Sequence, residues 1–394
     1  MITKIRERAF TLAQKIIDKT GPRLAGTEAS LQAAEILKNR LNAFCDKTEF
    51  DSFHLHKGAF LGWIRLLVLA YTVGVILLWL GYPTIAFILA LISILILVLQ
   101  FFLYLPIIDS LYPKKEGRNV IGYINPEKEI KRQIIISGHH DSARIFNFFI
   151  HQPKLYNLRV TGSIALVILL TITSLVMMLI NMPIGELIIV IILTAGLLLV
   201  LQMWFFASHK GTPGAGDNLI ASTMAIELGK YFSDYTLEHT RIIIASFDAE
   251  EEGLRGARAF AKHHKVLLNK YPTTLLNTDC AYNLDDLFFL TSDINGAVDL
   301  DTPLAKDLVN IAEKQGYKTC HKPIAFLTGG TDAAELAKVG IKATTLIGMP
   351  WDNNSRSSVY HTPNDTLDSV DPKVIEAAIS IFKEYIENED TLTS

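Results

Sequence analysis

Three cysteines in 394 residues (Cys45, Cys280 and Cys320) are too few for a disulfide framework, and the odd count leaves at least one thiol unpaired within the chain. A reducing compartment is therefore permitted. Charge is scarce too: charged residues make up 20% of the chain, and 37 Lys+Arg against 40 Asp+Glu leave a formal charge of −3. That balance offers no basic excess for a nucleic-acid partner. The opening residues, Met1-Ile2-Thr3-Lys4-Ile5-Arg6-Glu7-Arg8, lack the apolar core of a secretory signal. Apolar character, by contrast, is abundant. Hydrophobic residues fill 50% of the chain, glycine adds 24 positions, and mean hydropathy is +0.29, which excludes the disordered and fibrous classes.

The apolar excess is concentrated. No charged residue occurs between positions 66 and 108, and only the turn-forming Gly81-Tyr82-Pro83 interrupts the run. A bilayer core about 30 Å thick needs about 20 apolar residues per helix. Segments 59–80 and 84–105 each supply that length, and 160–180 and 187–206 repeat the pattern around Asn181-Met182-Pro183-Ile184-Gly185-Glu186. Trp63, Trp79, Tyr104 and Trp204 sit near the span ends, where interfacial aromatics gather. Four transmembrane helices in two hairpins are predicted; core helices of a large soluble protein are the alternative. Lys57, Lys114, Lys115, Arg118, Lys154, Arg159 and Lys210 flank the spans on the side bearing the rest of the chain, and the hairpin turns carry no basic residue. Arg65 lies close enough to that side to snorkel to it. The polar sequence is thus expected to face the cytoplasm, with the lipid bilayer as a partner. In that orientation the sequons Asn353-Asn354-Ser355 and Asn364-Asp365-Thr366 are chance matches.

With the spans set aside, segments 1–57, 107–159 and 207–394 read as one discontinuous domain, because neither polar block between the hairpins is large enough to fold alone. Helical periodicity marks 28–44, 218–232, 302–315 and 372–386. Ile134-Ile135-Ile136 and Ile242-Ile243-Ile244 read as buried parallel strands, and 287–290 and 344–347 as further strands. This alternation predicts an α/β fold, with a mixed, mostly parallel sheet flanked by helices. Functional residues of such sheets gather where strands end.

Metal-competent groups stand at those ends. After the first isoleucine run comes Ser137-Gly138-His139-His140-Asp141-Ser142, and residues two apart in extended chain share a face. His139 and Asp141 can therefore act together, imidazole as ligand and carboxylate orienting it. After the second comes Phe247-Asp248-Ala249-Glu250-Glu251-Glu252-Gly253, three adjacent carboxylates that are costly unless solvated or paired with cations. Asp217 in Gly216-Asp217-Asn218, Asp279 in Thr278-Asp279-Cys280, and His361 in Tyr360-His361-Thr362-Pro363-Asn364-Asp365 complete the set. Each alone reads as a cap or turn residue.

Taken together and in this order, these motifs resemble the M28 family of co-catalytic zinc peptidases, as does the N-terminal segment Gly21-Pro22-Arg23-Leu24-Ala25-Gly26-Thr27. The resemblance implies a zinc-peptidase fold, with His139 and Asp279 on one Zn²⁺, Glu251 and His361 on a second, and Asp217 bridging both. It makes Glu250 the general base and Asp141 the orienter of His139, and it places a cis peptide at Asp217-Asn218. Two Zn²⁺ against three ligand carboxylates and a bridging hydroxide balance to zero, and manganese or cobalt suits the same N/O donors. His140 and Cys280 are expected to point away, and His263-His264 to be solvated. The loop Thr328-Gly329-Gly330-Thr331-Asp332 resembles a family loop near the pocket, but Ala333 stands where that family has histidine. Leu219-Ile220-Ala221 replaces a small Ser/Gly-rich turn, so the helix start there is expected to pack differently.

The implied activity is that of a membrane-anchored aminopeptidase acting on peptides. A carboxypeptidase or other amide hydrolase on the same scaffold is an alternative. So is a glutaminyl cyclase, which shares the fold and which Phe247-Asp248 faintly resembles, although cyclases use one zinc. A non-catalytic membrane receptor with a dead peptidase domain is disfavoured, because every ligand and the base are present. A transporter is disfavoured because no span carries a central ionisable residue. Phe206 and Asp217 are 11 residues apart, at most about 40 Å of extended chain, so the site is expected near the cytoplasmic membrane surface. Oligomeric state is not legible.

Overall fold

A computed structural model describes residues 1–180, 183–235, 237–351 and 358–393. The sequon at Asn353 and part of the second hairpin turn lie outside the described residues. The chain divides into two compact units, one of Met1–Lys57, Lys114–Ile145 and Lys210–Ser394, the other of Gly58–Pro113 and Phe146–His209.

The first unit is built on an eight-stranded sheet: β1 (Lys47–His56), β2 (Lys114–Ile124), β3 (Arg132–His139), β4 (Thr240–Phe247), β5 (Thr273–Ala281), β6 (Leu287–Leu290), β7 (Cys320–Lys322) and β8 (Lys342–Gly348), in the spatial order β1-β2-β4-β3-β5-β8-β6-β7. The central strands β4, β3, β5 and β8 run parallel, while β1–β2, β2–β4 and β8–β6 pair antiparallel. The two isoleucine runs are neighbours in register, with Ile134, Ile135 and Ile136 opposite Ile242, Ile243 and Ile244. All six side chains are buried, as a strand covered on both faces requires. One helical layer contains Ile2–Thr20, Glu28–Leu41, Ile220–Asp234 and Pro372–Thr393; Arg255–His263 and Ala333–Ala337 pack together against the sheet separately from it. The predicted mixed, mostly parallel sheet flanked by helices is therefore observed.

The second unit holds four helices long and apolar enough to cross a membrane: Gly62–Trp79, Pro83–Phe102, Pro153–Leu179 and Gly185–Phe205. The third starts before position 160, because Phe146, Phe149, Tyr156 and Phe206 stack on one another and draw the preceding segment into the apolar unit. Gly81 takes φ 78° and Pro83 opens the second helix, so both residues break the run where the sequence marks a turn. Inside the bundle the Tyr71 hydroxyl donates to the Leu193 carbonyl at 2.7 Å, and the Trp79 indole to Thr194 Oγ1 at 2.9 Å. Leu67, Val75, Ala86, Ala90 and Leu170 are buried, whereas Ile76, Ile88, Ile92, Ile172, Ile188 and Ile192 face outward. Such an exposed apolar belt is costly in water and natural in lipid.

The last helix is tied to the sheet by a carboxylate. Asp390 accepts the backbone N–H groups of Glu238, His239 and Thr240 at 2.7, 2.9 and 2.9 Å, just before β4 begins. Burial works to raise its pKa, and these donors outweigh it and hold the carboxyl below its usual range. Its contribution to stability is therefore complete above the ordinary aspartate value of about 4 and lost as pH falls through the lower native one. Asp390→Asn is expected to cost about 1–3 kcal/mol at neutral pH. In unfolding titrations of detergent-solubilised protein that deficit should shrink as pH falls below about 4, and a deficit that does not change with pH would remove the charge from the explanation.

Candidate metal centre

The parallel strands deliver the polar motifs to one edge. His139 ends β3 directly opposite Phe247, the last residue of β4, so the Glu250-Glu251 loop emerges beside it. Asp279 lies near the end of β5, opposite Ile347, where the register with β8 shifts. Asp217 occupies a wide turn, residues 215–219, before the regular helix starts at Ile220, and the Asp217-Asn218 bond is cis. Leu219, Ile220 and Ala221 are fully buried, which accounts for the large apolar residues at this helix start. Ala249, Cys280 and His361 take positive φ (58°, 49° and 54°), a left-handed geometry that non-glycine residues hold only when their surroundings enforce it.

These loops converge. His139 Nε2 lies 3.2 Å from Asp217 Oδ1 and 3.8 Å from both Asp279 Oδ1 and Glu250 Oε2. His361 Nε2 lies 3.1 Å from Asp217 Oδ2 and 3.4 Å from Glu251 Oε1. The donors fall into triads, His139/Asp217/Asp279 and Asp217/Glu251/His361, that share Asp217; His139, Glu250 and Glu251 form a third. Behind them, Asp141 stands 3.3 Å from His139 Nδ1 and accepts the N–H groups of Glu250 and Glu251 at 3.1 and 3.2 Å. One carboxylate thus ties the histidine to the acidic loop. Asp365, four residues beyond His361, accepts the Gly216 N–H at 2.8 Å and braces the Asp217 turn from another side.

Several of these atoms have no hydrogen bond. His139 Nε2, Asp217 Oδ2 and Asp279 Oδ1 are buried and make none, so each aims a lone pair or proton into the shared space. Burial pushes Glu250 well above the usual carboxyl range, opposed by His139 and reinforced by Glu251 and Asp279. Burial likewise takes Glu251 up to about 7. Burial acts to lower both histidines, but the surrounding carboxylates override it, holding His139 well above its usual value and His361 at about 9. Without an ion the imidazoles serve as the counter-cations. An N/O donor set with three carboxylates, two imidazoles and orphaned inward-facing atoms fits zinc, whose binding would release those protons.

The comparisons agree with that geometry. Residues 202–386 match the family model for peptidase family M28. Over those residues the chain is similar to that family. The matched segment contains Asp217, Glu250, Glu251, Asp279 and His361; His139 and Asp141 precede it. No curated protein matches the chain. Among solved structures, a leucine aminopeptidase precursor from Bacteroides thetaiotaomicron is 15% identical with a TM-score of 0.58, and the match covers 97% of each chain. A glutaminyl cyclase from the same organism has 14% identity and a TM-score of 0.58, again over 97% of each chain. A Zn-dependent exopeptidase from Parabacteroides distasonis has 15% identity and a TM-score of 0.57 with the same coverage. At these identities the likeness establishes the fold.

The other residues that the sequence singles out separate clearly. His140 is fully buried with Nδ1 2.9 Å from Ser246 Oγ, and burial lowers its pKa to about 3, so it remains a neutral structural group. Cys280 is buried and belongs to none of the ligand groups. The expectation of a solvated His263-His264 pair holds for His263, which is exposed although its Nδ1 sits 2.6 Å from Asp51 Oδ1, and is corrected for His264, whose side chain is 17% exposed with its ring on Phe260. The buried Asp51 supplies the reason. Asp332 stands in a loop that the sequence marks without giving this residue a role. It is 1% exposed, neither carboxylate oxygen has a hydrogen bond, and burial pushes its pKa well above the usual range, with Asp279 and Asp141 adding and His139 opposing. Its loop is anchored by Asp293, which accepts from Thr331 N–H and Oγ1 at 2.8 and 2.6 Å. The Thr331-Asp332 motif was the available signal, overshadowed by the histidine missing after it. Asp141→Asn, which weakens the hold on His139 and on both loop N–H groups, is expected to lower zinc affinity about 10–100-fold. Chelator competition measures this, and unchanged affinity would deny Asp141 its orienting part.

Proposed function

We propose that this chain is a membrane-anchored di-zinc exopeptidase that removes N-terminal amino acids from peptides, with Glu250 as general base. The observation that carries this reading is the position of Glu250. Its carboxylate oxygen lies 3.8 Å from His139 Nε2, so it borders the triads that share Asp217 without belonging to either. His139, Asp217 and Asp279 would hold one ion, and Asp217, Glu251 and His361 the other. The ions would supply Lewis acidity, lowering the pKa of a water and polarising the scissile carbonyl.

The chain's own groups do the rest. Asp141 holds the His139 ring and fixes the backbone of Glu250 and Glu251, so the base and a ligand share one rigid loop. Glu250 takes the water proton at a carboxylate oxygen and returns it to the leaving amine. Burial supports this role, since it raises the carboxyl well above its usual range and so makes it a better proton acceptor than a solvated carboxylate. Glu250→Gln is expected to lower turnover about 10²–10⁴-fold with metal content intact. The assay is a panel of free-amine, N-blocked and N-terminal-glutamine peptides. Cleavage confined to free amines supports the aminopeptidase, cleavage of blocked peptides indicates a carboxypeptidase, and ring closure of N-terminal glutamine without cleavage indicates a cyclase.

The four apolar helices and their outward isoleucines support anchoring in a bilayer, and the basic flanks support a cytoplasmic peptidase unit. Cys320 is exposed while Cys280 is buried, which provides a topological probe. A membrane-impermeant maleimide should label Cys320 in inside-out vesicles and not in intact cells. Labelling of intact cells would reverse the orientation.

A further inference from the structure

The sequence marks Arg23 only as part of an N-terminal segment, yet it is a fully buried arginine beside the metal centre and lies outside the family-matched residues 202–386. Its Nε donates to the carbonyl of His140 at 2.8 Å, between His139 and Asp141. Nη1 donates to the carbonyls of Gly21 and Pro213 at 3.1 and 2.9 Å, and Nη2 to that of Gly214 at 2.7 Å. Its backbone joins the same knot: the Arg23 N–H donates to Ser142 Oγ at 3.0 Å, and the Ser142 N–H to the Arg23 carbonyl at 3.0 Å. One planar cation therefore ties the segment bearing His139 and Asp141 to the segment leading into Asp217. An ammonium, as a point donor on a flexible stem, cannot reproduce that fork. Gly214 is moulded to it: at φ 62°, a Cβ there would lie 2.5 Å from Ser142 Oγ and 2.9 Å from Arg23 Nη2.

We propose that Arg23 is a positioning residue of the metal centre, holding His139 and Asp217 at ligand spacing before any ion binds. The consequence is that the site depends on a residue nearly 200 positions upstream of the turn it steadies. Asp365 grips the Gly216 N–H of the same turn, so the shared ligand is held from two directions. A residue that merely supported the fold would, when replaced, lower stability and leave the ligand geometry of the surviving folded protein alone. Glu227 provides that comparison: it is buried against Arg8 and Arg40 and has no ion pair with the ligand set.

This inference rests on the metal-centre reading, and the test uses the full chain in detergent with zinc and Co²⁺ as probes. Arg23→Lys is expected to weaken zinc binding about 10–100-fold in chelator competition and to change the visible absorption of the Co²⁺-loaded protein. Glu227→Gln is expected to lower the melting temperature with zinc affinity and the Co²⁺ spectrum unchanged. If Arg23→Lys fails to fold, Gly214→Ala decides by the same two measurements. Wild-type affinity and spectrum in folded Arg23→Lys, or in Gly214→Ala when it decides, would overturn the role of Arg23. An unmodified protein that binds neither ion would overturn the metal-centre reading itself.

Discussion

Carboxylates cannot be packed within a few ångströms in a protein interior unless cations are packed with them, and the rest of this site follows from that constraint. Asp141, Asp217, Asp279 and Asp332 are all buried at one end of the sheet, with Glu250 and Glu251 at its margin. Two imidazoles and the Arg23 guanidinium are the cations the chain itself supplies. In water-poor surroundings this leaves a strong negative potential focused on the orphaned atoms of His139, Asp217 and Asp279. A divalent ion is the natural complement, and the Asp217 turn and the acidic loop are tied to their neighbours by backbone N–H groups that donate to Asp365 and Asp141.

Much of this was legible in the sequence, and for identifiable reasons. The isoleucine runs mark central strands because a strand buried on both faces has no polar alternation, and their mutual register carries His139 alongside the acidic loop. The four apolar helices follow from length and hydropathy alone. His139, Asp279 and the Glu250-Glu251 loop could be picked out because they interrupt apolar patterns at strand ends, whereas Asp217 and His361, which lie in turns, are singled out only through the family resemblance. What pattern reading did not supply is long-range satisfaction. His264 looks like a surface residue until Phe260 and Asp51 on β1 come beside it. Asp332 is marked in sequence only as part of a loop, and nothing in the pattern shows that its carboxylate is buried without a hydrogen bond. Arg23 belongs to a segment marked only by its resemblance, because its four acceptors are backbone carbonyls and carbonyls leave no trace in a sequence.

The two units also differ in what holds them. The sheet unit relies on buried aliphatic side chains between strands and helices, with charges confined to its edges and its site. The helical unit uses close contacts at small residues: Gly74 lies under Leu170, and Gly196 under the Tyr71 hydroxyl. Packing of this kind needs no water to drive it, which suits helices whose outer faces are already apolar.

Strand β3 precedes residues Phe146–His209 in the chain and β4 follows them, yet the two strands are hydrogen-bonded neighbours. During translation the ribosome therefore releases His139, then an entire helical pair, and only afterwards the strand that must dock beside it. Maturation of the acidic pocket is consequently a late event in the birth of this molecule, after the apolar helices have left the exit tunnel. A half-made chain holds one corner of the pocket and no competence to capture an ion.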